Sequence, residues 1–342
     1  MNIRRSVLKE VIYPYAVSAY QINGRPKVIT ATELDGPCTG IWADTLELET
    51  IWEDHGGTMN TCQLDENGTF LAIQRFYKGF QSRESCIVKV EQKDGVWTQT
   101  EVAKLPFIHR FCTLEIGGET YLLCCLLCAD KASKEDWSQP GRVVVAKLPS
   151  DGKLAHFQTV LDGIHKNHGL YKGTLHGEPV ILVTGVEGLF KLSPPSDSSQ
   201  PWKVEAILDR EISDCTVIDL DGDGQDEIIT IEKFHGQRVV VNKWIDGTWK
   251  EVYEYPVAFG HAIWSGTILG APAFLIGYRA SNAALLLFQL KMISGDDWYM
   301  DVTVLDEHEG PTNIDVVHWP DKEQVFSCSG ARNRIVLYEL TK

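Results

Sequence analysis

Four of the ten histidines stand at the heads of apolar segments that recur along the chain: His109, His165, His168 and His261. Imidazole both ligates divalent metals and exchanges protons near neutrality. Its repeated placement at one kind of position therefore points to a single centre. Asn60, Arg110, Asp214 and Asn313 head segments in the same way. A second set, Glu33, Arg75, Asp130, Glu187, Glu232 with His235, Arg279 and Arg332, closes the apolar segment that follows in each case. The remaining histidines fall in turns or outer strands and are given no role.

These positions belong to a phrase that returns seven times: a polar turn, an apolar strand, a turn, a second apolar strand, a third, and often an aromatic-led fourth. Taking Ala16, Asn60, Arg110, His168, Asp214, His261 and Asn313 as equivalent, successive spacings are 44, 50, 58, 46, 47 and 52 residues. Strand repeats of this period predict an all-β fold, a seven-bladed β-propeller, filling residues 1–342 as one domain. The innermost strand of a blade starts at one face and the second strand returns to it. Both polar sets are thus expected at one mouth of the central channel. The last repeat stops after its third strand, RIVLYEL. The N-terminal strand, residues 4–12, is predicted to complete the last blade and close the ring, leaving no unpaired sheet edge.

Composition narrows the function classes. With 44% hydrophobic and 23% charged residues the chain can bury a large core. A net charge of −15 and the absence of any Lys/Arg run argue against a nucleic-acid groove. No apolar stretch reaches the length of a membrane span, and no signal-peptide core follows Met1. Nine cysteines without a repeated zinc spacing read as small buried residues in a reducing compartment. The expectation is a cytoplasmic monomer or weak homo-oligomer. No GxSxG, P-loop or HExxH motif is present.

The segment from Asp219 to Glu227, DLDGDGQDE, places carboxylates at alternate positions around glycines between two apolar strands. Asp219, Asp221, Asp223, the carbonyl of Gln225 and Glu227 could supply oxygens to a structural calcium ion. A metal-free tight turn is the alternative. The segment resembles the calcium loop of FG-GAP or VCBS repeats, and the strand order puts it on the face opposite the histidines.

Three stretches resemble the propeller part of aldos-2-ulose dehydratases, also called 1,5-anhydrofructose dehydratases. They are Ile108-His109-Arg110-Phe111 with LLCCLLCADKAS, His165-Lys166-Asn167-His168 leading to ILVTGVEGLFKL, and CTVIDLDGDGQDEI. The resemblance implies a dehydratase site in the propeller and a keto-sugar substrate. Ser213-Asp214 departs from the histidine expected of that family at the start of the fifth blade.

Eliminating water from a keto-sugar requires an electrophile at the ketone, a base for the α-proton and an acid for the leaving hydroxide. A divalent ion (Mg, Mn or Zn) held by His168, His261 and His165 could polarise the ketone. His109 could serve as acid or base, Arg110 could stabilise negative charge, and Asp214 could orient an imidazole. Asn60, Arg75, Trp137, His165, Glu187, Arg279, Asn313 and Arg332 are the candidate sugar-binding groups, with Trp137 stacking on a ring. The alternatives are a β-eliminating glycoside or uronate lyase, and a non-catalytic lectin-like or protein-binding propeller. Divergence between blades at the mouth favours one asymmetric central site over repeated pockets.

Overall fold

Every repeat forms a four-stranded antiparallel sheet, and there are seven such sheets. The computed structural model describes all residues except 78–80, 150–153, 155 and 295–296. The innermost strands are Pro14–Ile22, Thr61–Gln63, Ile108–Ile116, Leu170–Leu175, Asp214–Ile218, Gly260–Ile268 and Pro311–His318. Each touches the innermost strands of both neighbouring blades, so contact runs unbroken round the ring. No helix among the described residues is long and apolar enough to cross a membrane.

The middles of the second strands are largely apolar because each sheet is covered on both faces. In Glu119–Cys128 of blade 3, Leu122, Cys124 and Leu126 pack toward blade 2, whereas Leu123 and Cys125 pack toward blade 4. In blade 7, Val325 faces blade 6, while Phe326 and Cys328 face blade 1. An apolar cluster of this kind fills each junction between blades. The alternation of a strand sends successive side chains to opposite sides, so a doubly covered strand needs apolar residues at every position. Small cysteines suit the crowded inner part of the wedge, and all nine are free thiols.

The ring closes through its ends. Asn2–Glu10 pairs antiparallel with Arg334–Thr341, Asn2 opposite Thr341 and Glu10 opposite Arg334. The expected N-terminal strand is present and lies two residues earlier than the sequence suggested. Arg5 adds ion pairs to Asp306 of blade 6 and to Glu309 just before blade 7, and Glu309 also holds Arg334. Closure removes the unpaired edges that an open seven-sheet array would expose.

Candidate functional site

The first residues of several inner strands are re-aimed by β-bulges. Pairing slips by one residue between Pro14 and Ala16, Ile108 and Arg110, Gly260 and Ala262, and Pro311 and Asn313. Tyr15, His109, His261 and Thr312 are the extra residues at those slips. A bulge leaves its residue out of the ladder and turns its side chain aside. His109 is therefore the counterpart of His261, and the equivalence of Arg110 with His261 drawn from the sequence is off by one residue.

These side chains and others at the strand heads tie blades 2 to 3, 3 to 4, 4 to 5, 6 to 7 and 7 to 1. His109 Nδ1 donates to the carbonyl of His168 at 3.1 Å, His168 Nδ1 to that of Ser213 at 3.1 Å, and His261 Nδ1 to that of Thr312 at 2.7 Å. Thr312 Oγ1 donates to the carbonyl of Pro14 at 3.0 Å, and Asn313 Nδ2 to that of Tyr15 at 2.9 Å. Asn60 Nδ2 reaches the carbonyl of Phe111 at 3.0 Å. Donation through Nδ1 leaves the Nε2 lone pairs of these histidines available.

Burial decides the charge of the cluster. His109, His168 and His261 are 3%, 1% and 2% exposed. Loss of water, reinforced by nearby cationic groups such as Arg110 for His109 and Arg279 for His261, pushes all three well below the usual imidazole range. Burial, then Arg279 and Lys166, lowers His235 to about 3. All four rings are neutral at pH 7. Burial also raises Tyr15 to about 12, against the pull of Arg110, and Asp214 to about 6, partly offset by Arg110 and the amide of Cys215.

Above the cluster opens a funnel of about 640 Å³ lined by Tyr15, Glu33, Met59, Phe76, His109, Leu127, Lys131, Lys134, Glu135, Trp137, His168, Phe234, His235, Phe259, His261 and Arg279. Of the residues expected there, Glu33, Trp137, His235 and Arg279 line it with His109, His168 and His261. Arg110 is buried beneath, its guanidinium donating to the carbonyl of Met59 at 2.8 Å and to Asn313 Oδ1 at 3.4 Å. It is committed to holding three blades together. Asp214 is buried and accepts from the amide of Cys215 at 2.9 Å, while the nearby His168 ring donates to the carbonyl of Ser213 instead.

His165 does not join the central histidines. Its Nδ1 lies 2.6 Å from Glu187, and both side chains are about one-third exposed. Arg75 pairs with Glu101, and Arg332 donates to the carbonyl of His308. His165, Glu187, Arg75 and Arg332 thus stand outside the funnel. Trp137 carries the ammonium of Lys131 3.2 Å from its ring centre and Phe234 against it edge-on, so one face is already capped. His235 was placed at the mouth by the sequence but given no role in the metal or catalytic set. It follows the second strand of blade 5, at the position class of Glu33 and Arg279, and that placement was the available signal.

On the opposite face, the acidic loop holds a cation of the protein's own. The Lys243 ammonium lies against Asp221, 2.8 Å from Asp223 and 3.1 Å from Glu227. Asp219 accepts from the amides of Gly222 and Gly224, Asp223 from that of Gln225, and Glu227 from that of Leu220. The ammonium stands where the calcium expectation placed the ion. Asp219, Asp221 and Glu227 still bring one oxygen each within 4.8 Å of the other two, so an ion would bind here by displacing Lys243.

No sequence family and no curated protein matches the chain. Solved structures do. A chain of the Mitotic Checkpoint Complex superimposes with a TM-score of 0.64 at 8% identity, covering 99% of this chain and 91% of that one. The Cps50 (Swd1) beta-propeller domain of Myceliophteria thermophila gives 0.65 at 10%, covering 99% and 100%. The Dos1 propeller gives 0.56 at 9%, covering 92% and 76%. The class is thereby fixed as a seven-bladed β-propeller. The dehydratase resemblance finds no support among families or curated proteins. The expectation of a small sugar or keto-sugar partner is corrected by these neighbours, which are propellers and a chain of a protein complex.

Proposed function

We propose that the chain is a binding propeller that receives a protein partner at the funnel mouth. The observation that carries this reading is the funnel wall, where Met59, Phe76, Leu127, Phe234 and Phe259 line an opening with Lys131, Lys134 and Arg279 around it. Phe259 is 38% exposed at a position where an apolar ring is stabilised by burial. An aromatic anchor in a pocket with charged groups around it is the usual make-up of an interface hot spot. The resemblance to a chain of the Mitotic Checkpoint Complex supports the same reading. The partner segment that fits brings an apolar side chain for the funnel.

Affinity capture from cells that express the protein tests this. Wild type, Phe259→Asp at the mouth, and Val304→Asp on the outer strand of blade 6 are compared, and recovered partners are then titrated as purified proteins. The mouth variant is expected to bind at least tenfold more weakly, because a charge replaces an anchor worth about 2 kcal/mol. The outer variant should bind as wild type does. Equal binding by all three proteins, or no partner at all, defeats the proposal.

A further inference from the structure

At the base of the funnel three imidazoles converge from different blades. One ligand nitrogen each of His168, His235 and His261 lies within 4.8 Å of the other two. The Nε2 of His168 is buried and has no hydrogen-bond partner. An unmade bond at a buried acceptor is costly, about 1–3 kcal/mol, so a ligand at this point is favoured. His261 Nε2 has only the long contact to the Tyr15 hydroxyl at 3.3 Å.

We infer that His168, His235 and His261 bind one divalent transition-metal ion, of the zinc type, with its remaining coordination positions open to the funnel. Their neighbours supply what such ligands need behind them. The Nδ1 atoms of His168 and His261 donate to the carbonyls of Ser213 and Thr312, which fixes the rings and leaves Nε2 to the metal. A zinc ion with nitrogens at about 2.0–2.1 Å sets tetrahedral nitrogens roughly 3.3 Å apart, so small ring rotations close the site. An all-imidazole set selects zinc, copper, nickel or cobalt over the oxygen-seeking magnesium and manganese. The expected metal centre is thereby moved: His235 takes the place assigned to His165, and two of the three metals first considered drop out.

This inference stands apart from the protein-partner reading, since metal uptake needs no partner. The chelator-stripped full-length protein is titrated with zinc by calorimetry, and cobalt is followed by its visible absorption. One equivalent of zinc is expected, with a cobalt spectrum of nitrogen ligation. His235→Ala is the informative variant, because its ring makes no hydrogen bond among the described residues, so its loss costs the stacking on Phe259 and His261 but none of the hydrogen bonds between blades. It should weaken zinc binding at least tenfold while remaining folded in chelator, whereas His165→Ala should bind as wild type does. No uptake by the wild type, uptake unchanged in His235→Ala, or uptake lost in His165→Ala would each overturn the assignment.

Discussion

Replacing Glu309 by Ala should weaken the ring at its closure. Its carboxylate is 3% exposed and accepts from Arg5 at 2.6 Å, from Arg334 Nε at 3.1 Å and from the Ser329 hydroxyl. Truncation leaves two guanidinium groups facing each other without their shared anion; because these are a quarter to a third exposed, the loss is about 2–3 kcal/mol, below that of a fully buried pair. Unfolding entropy of about 2.1 cal/mol/K per residue gives roughly 0.7 kcal/mol/K for a chain of this size. The melting temperature should therefore fall by roughly 3–4 °C. Arg5→Ala removes only a one-third-exposed partner and should cost about 1 kcal/mol. Burial alone would raise the Glu309 carboxyl, but the hydrogen bonds of Arg334, Ser329 and Arg5 win and hold it below its ordinary value. A depressed carboxyl contributes stability that is present above its unfolded value of about 4.3 and lost as the pH falls through the lower folded value. The gap between wild type and Glu309→Ala should hence narrow on acidification. Calorimetric scans from neutral to acid pH read both effects. A variant melting within about 1 °C of wild type at neutral pH, or a gap that widens in acid, would refute the closure argument.

On the opposite face, millimolar calcium should leave the wild-type melting temperature unchanged, because the Lys243 ammonium already occupies the place between Asp221, Asp223 and Glu227. Lys243→Ala should melt lower and regain stability with calcium; a calcium-dependent rise in the wild type would show that the ion displaces the ammonium. In the channel, Asp214 has its folded value raised to about 6, mainly by burial, so stability is lost as the pH rises from about 4 to 6 and then levels off. Asp214→Asn retains the acceptor for Cys215 and should gain up to about 2 kcal/mol over wild type across that window. A pH-independent difference in denaturant midpoints would count against it.

The repeat period and the apolar runs made the seven blades and the joining of the chain ends legible in the sequence. These are local patterns, and a strand covered on both faces must be apolar wherever it falls. The same pattern located the head of each inner strand to within two residues, and three of the four histidines there, His109, His168 and His261, do meet in the channel. What it could not supply was the bulge. A one-residue slip changes which side chain leaves the ladder, and it is set by pairing with a distant strand, as at Ile108 and Arg110 against Leu126 and Cys125.

Partner choice was likewise beyond a linear reading. Arg110 looked free to hold an anion until blades 2 and 7 presented Met59 and Asn313 to it, and the acidic loop looked ready for calcium until Lys243, on the third strand of the same blade, filled it. His165 and His168 are three residues apart, yet Glu187 draws one outward while burial keeps the other at the axis. The sequence by itself determined the architecture, because periodic burial is written residue by residue. Which polar groups are used up and which stay open was decided by the tertiary structure, because hydrogen bonds and ion pairs depend on neighbours that only closure of the ring brings within reach.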